Sequence, residues 1–120
     1  GALAAAIGIY DHRTRPLDRY REAALFLAAN ARPEERVFAT GYLYLETVSA
    51  MDRPVGALPA EQALHPGWRS RTPIDPATLP RGPFLWIVEK NTREVNAVTR
   101  VRPAQRLFEN ERAIILRVLD

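Results

Sequence analysis

Two short polar clusters hold the residues whose types could do chemistry: Thr40 and Tyr42 on either side of Gly41, and the run Glu89-Lys90-Asn91. A hydroxyl, a phenol, a carboxylate, an ammonium and an amide suit hydrogen bonding and ion pairing to a polar small molecule. An acid beside a lysine is not by itself a mechanism, so an independent enzyme working through Glu89 and Lys90 ranks last among the readings. Trp68, in a proline-rich stretch, is the remaining candidate contact, set against the commoner role of a loop tryptophan, which is to plug its own domain's core.

The familiar catalytic templates fail on the residues they require. Gly41, Gly56, Gly67 and Gly82 stand alone, so neither a phosphate-cradling loop nor a dinucleotide fingerprint is present. His12 and His65 are the only histidines and have no carboxylate at ligand spacing, so no metal site is expected. Ser49 and Ser70 lie outside any nucleophile-elbow context. No catalytic residue and no cofactor is assigned from these patterns.

Composition narrows the class. The 120 residues are 47% hydrophobic and 26% charged, ordinary values for one globular domain and too apolar for a disordered tail. The absence of cysteine excludes disulfides and thiolate metal sites. The pI of 9.8 comes with a net charge of only +3, and the sixteen arginines and one lysine are scattered. A nucleic-acid binder concentrates its cations on one helix or stripe, so nucleic acid is not an expected partner.

The elements that must position the clusters follow from periodicity. The stretch Phe84 to Lys90, between Pro83 and Asn91, opens with five unbroken apolar residues rich in aromatic and β-branched types, which predicts a strand buried on both faces at the middle of a sheet. Leu17, Tyr20, Ala24, Leu27 and Ala31 form one helical stripe, opened by Thr14 and Pro16 and closed by Pro33. A first strand is expected over 36–40, a helix over 42–51 and a short edge strand over 55–58 after Pro54. Prolines from 59 to 83 allow only single helical turns, near 61–64 and 76–79.

Asn91 and Glu94 have the spacing of an N-cap and its reciprocating carboxylate, with Val95, Val98 and Val101 as the apolar strip of a helix ending near Arg102. Residues 105–108 and 112–118 then read as an antiparallel hairpin turning at 109–111, with Ile114, Leu116 and Val118 on one face. The expected architecture is α/β, a small layered domain with a mainly parallel central sheet flanked by helices and a C-terminal antiparallel hairpin. In open α/β sheets ligands bind beyond the carboxyl ends of the strands, where Thr40 and Tyr42 follow the first strand and Glu89, Lys90 and Asn91 close the central one. One reading has the two clusters line one crevice. The competing structural reading makes Thr40 and Asn91 helix caps and Glu89-Lys90 a solvated strand end.

Residues 1–10 are apolar and too few to span a bilayer alone. They read either as a buried N-terminal segment or as the trailing end of a membrane helix, with 11–120 as the globular domain. The missing start Met favours a fragment.

The order of elements resembles the soluble C-terminal tail of bacterial integral-membrane glycosyltransferases, the class of protein mannosyltransferases and aminoarabinose transferases that use polyprenyl-phosphate sugars. Asp18-Arg19-Tyr20-Arg21 is similar to the Asp-Tyr-Arg helix after that family's last membrane span. Arg32-Pro33-Glu34-Glu35-Arg36-Val37 resembles its Pro-Gly-Asp-Arg-Val approach to a strand, with Glu34-Glu35 in place of Gly-Asp. Tyr42-Leu43-Tyr44, Phe84 to Val88 and Ile114 to Val118 fall where the family has an aromatic pair, a tryptophan-bearing strand and a closing strand.

The resemblance implies a non-catalytic extracytoplasmic domain, on the periplasmic side of the bacterial inner membrane. Its partners would be the membrane part of the parent chain and a lipid-linked sugar or acceptor, the latter met through the loop around Trp68. The alternative is a free-standing small-molecule or protein-binding α/β module.

Overall fold

The computed structural model describes residues 16–59 and 74–120. The described chain runs α1 (Pro16–Asn30), β1 (Val37–Ala39), α2 (Leu43–Ala50), β2 (Gly56–Ala57), a 3-10 turn (Pro76–Thr78), β3 (Phe84–Glu89), α3 (Arg93–Thr99), β4 (Ala104–Glu109) and β5 (Ala113–Val118). The strands form one sheet in the order β2-β1-β3-β5-β4. β1 pairs in parallel with both β2 and β3, while β3 pairs antiparallel with β5 and β5 with β4. The expected α/β class, with a parallel centre and a C-terminal antiparallel hairpin, is the one that forms.

β3 holds the middle position because both of its faces are apolar. Phe84, Leu85, Trp86, Ile87 and Val88 are all buried, so the alternation of a strand sends successive residues into two different cores. Leu85 and Ile87 meet Val37, Ala39 and Ile115 under the helical layer of α1 and α2, which contributes Tyr20, Ala24, Leu27, Leu43 and Met51. Phe84, Trp86 and Val88 join Ile114, Leu116 and Val118 on the opposite face, covered by Val98 of α3 together with Leu58, Ile74 and Leu79. The sheet is thus a middle layer with helices on both sides.

Arginines fasten the connections. The Arg53 guanidinium donates to the carbonyls of Arg32 at 2.6 Å, Glu35 at 3.1 Å and Ala31 at 3.3 Å, satisfying carbonyls of the connection between α1 and β1. Arg102, its side chain 14% exposed, donates to the carbonyls of Pro80 at 2.6 Å, Gly82 at 2.8 Å and Leu119 at 2.8 Å, and lies 5.2 Å over the Phe84 ring. Arg117 of β5 reaches the Glu35 carboxylate at 3.0 Å. Several of the scattered arginines are therefore ties between distant segments.

Three local expectations are corrected. α3 ends at Thr99 rather than near Arg102, and the Thr99 hydroxyl turns back to the Val95 carbonyl at 2.8 Å. Val101 lies beyond the helix and is 56% exposed instead of continuing the apolar strip. The hairpin turns at Asn110 to Arg112 rather than at 109–111, because the Asn110 side chain organises it. Its Oδ1 accepts from the amides of Arg112 at 2.9 Å and Ala113 at 2.8 Å, and its Nδ2 donates to the Arg19 carbonyl of α1 at 2.8 Å. The suggested helical turn at 61–64 and the apolar segment 1–10 lie outside the described residues, whereas the turn near 76–79 forms as the 3-10 turn.

Candidate functional site

β1 and β3 lie side by side and point the same way, so the residues that follow them emerge at one edge of the sheet. The register pairs Ala39 with Ile87, and the Thr40 amide extends the ladder by donating to the Ile87 carbonyl at 3.1 Å. From there the two chains part. After β1, Gly41 turns with φ +65° and leads into α2, whose Leu43 is buried on the α1 side of the sheet. After β3, Asn91 turns with φ +59° and leads into α3, whose Val98 is buried on the other side. The opening between two neighbouring parallel strands whose connections leave to opposite faces is where open α/β sheets take their ligands.

Each predicted site residue has a definite place at this edge except one. Thr40 is committed to the fold: its hydroxyl accepts from the Trp86 indole N–H at 2.8 Å and donates to the Leu58 carbonyl at 2.6 Å. It does not cap α2, whose N-cap position is Tyr42, without a side-chain cap bond. Tyr42, between Gly41 and the first residue of α2, is 48% exposed. The Glu89 carbonyl accepts from the Thr92 hydroxyl at 3.0 Å, which tightens the turn out of β3.

Lys90 continues the pairing with β5 through its amide, which donates to the Arg112 carbonyl at 2.9 Å. Its Nζ stands 3.8 Å from a Glu109 carboxylate oxygen on β4, on the hairpin side of the opening and away from β1. Asn91 is not the cap of α3 either. The cap position belongs to Thr92, again without a side-chain cap bond, and Asn91 supplies the left-handed conformation that asparagine tolerates better than most residues. Trp68 lies outside the described residues.

The structure thus gathers Thr40, Tyr42, Glu89 and Asn91 at one sheet edge and turns Lys90 toward Glu109. A groove of about 290 Å³ begins at Arg93 and Glu94, the first residues of α3, and continues past Asn96, Ala97 and Arg100 with Ile74 opposite. Within it Arg93 stands 3.7 Å from the Glu94 carboxylate. Sequence reading missed this groove and the role of Thr92. A threonine directly before a helical run was the available signal for the cap, whereas nothing local to the sequence announces that Ile74 returns to face α3. Among the described residues no group of histidines, cysteines and carboxylates has the arrangement of a metal site.

No protein-family model matches the chain, and no curated protein matches it. Among solved structures it aligns with a protein-(glutamine-N5) methyltransferase (release factor-specific) from Alicyclobacillus acidocaldarius subsp. acidocaldarius DSM 446. The identity is 15% over 92% of this chain and 97% of that one, with a TM-score of 0.40. A likeness at that level assigns neither fold family nor activity to this chain.

The resemblance to the tail of membrane glycosyltransferases is corrected by these comparisons. Nothing they return is a membrane glycosyltransferase. The glycosyltransferase reading is withdrawn. No helix among the described residues is long and apolar enough to cross a membrane.

Proposed function

We propose that this chain is a small-molecule-binding α/β module whose ligand sits beyond the carboxyl ends of β1 and β3. The observation that carries the reading is the parting of the two connections, the one after β1 to α2 and the one after β3 to α3 on the opposite face. The exposed Tyr42 ring supplies an amphipathic contact at the mouth. The turn at Asn91 and Thr92 supplies an amide side chain and backbone polar groups, and the groove along α3 gives the ligand body room to extend. Thr40 serves the site by fixing its floor rather than by touching ligand.

The test is a ¹⁵N-edited NMR titration of the intact chain with a diverse library of small polar metabolites. A hit should shift the amides of Gly41, Tyr42, Asn91 and Thr92 together and saturably. Tyr42→Ala should weaken that hit about tenfold, the loss of about 1.4 kcal/mol, while leaving the melting temperature unchanged. Saturable shifts confined to other parts of the fold, or none at this edge across the whole library, would overturn the assignment.

A further inference from the structure

We draw no further inference here: the strongest candidate, the outer face of α2 where Leu45 and Val48 are exposed, carries nothing because nothing in the structure shows what covers it.

Discussion

Removing one hydroxyl at Thr40 orphans two groups at once. The Trp86 side chain is fully buried, and its indole N–H has Thr40 Oγ1 as its acceptor, while the same oxygen donates to Leu58. Thr40→Val keeps the shape and deletes both bonds, which should cost about 1–3 kcal/mol for each buried group left unsatisfied. Trp86→Phe should be cheaper in the Thr40→Val background than in the native chain, because the N–H it removes has already lost its partner. Chemical denaturation of the four variants in the cycle measures that coupling, and strictly additive losses would mean that the two side chains do not share the bond. The chemistry of this pair was invisible in sequence. Trp86 was legible as core from its neighbours, but the partner of a buried indole is set by sheet register, which the order of residues does not state.

The elements themselves were largely legible, and the reason is periodicity. The β3 run, the α1 stripe and the alternating Ile114, Leu116 and Val118 each carry a pattern with one geometric solution. The misplaced details sit where elements end: the hairpin turn at Asn110 to Arg112, organised by the Asn110 side chain, the end of α3 at Thr99, and Thr92 rather than Asn91 in its cap position. β2 shows the same limit. Its edge position was expected from Pro54, but its glycine has a tertiary cause, since a Cβ on Gly56 would stand 2.4 Å from Phe38 Cε1. The Phe38 ring is held edge-on against Phe84, with centroids 5.2 Å apart, so it has little room to yield. Gly56→Ala should therefore destabilise the domain by about 1–3 kcal/mol, and trimming the neighbour in the Phe38→Leu, Gly56→Ala double variant should recover part of it. A thermal melt of Gly56→Ala at the native temperature would show that the ring moves aside freely.

At the scale of the whole molecule, acid should loosen the joint between the α1–β1 connection and β5. Burial pushes the Glu35 carboxyl up, but the Arg32 amide at 3.0 Å, the Arg117 guanidinium and the charge of Arg32 outweigh it and hold it below its ordinary value of 4.5. A carboxyl whose folded pKa is depressed contributes stability that is fully present above its unfolded pKa and lost as pH falls through the folded one. Glu35→Gln should accordingly melt below the native chain at neutral pH, with the gap constant down to about pH 4.5 and closing beneath it. A gap that persists unchanged in acid would assign the loss to packing rather than to charge.

The strand order also sets a timetable. β4 and β5 are neighbours in sequence and close around the Asn110 turn, whereas Val37 must find Leu85 with α2, β2 and the whole proline-bearing stretch between them. Local pairings form before those that close long loops. Ile115→Val should therefore slow refolding in stopped-flow measurements, while Val37→Ala should act mainly by hastening unfolding. The reverse pattern would place β1 in the early structure. With the hairpin first, β1 and β3 are late to meet, so a ligand site at the proposed place would come into being only as folding finishes.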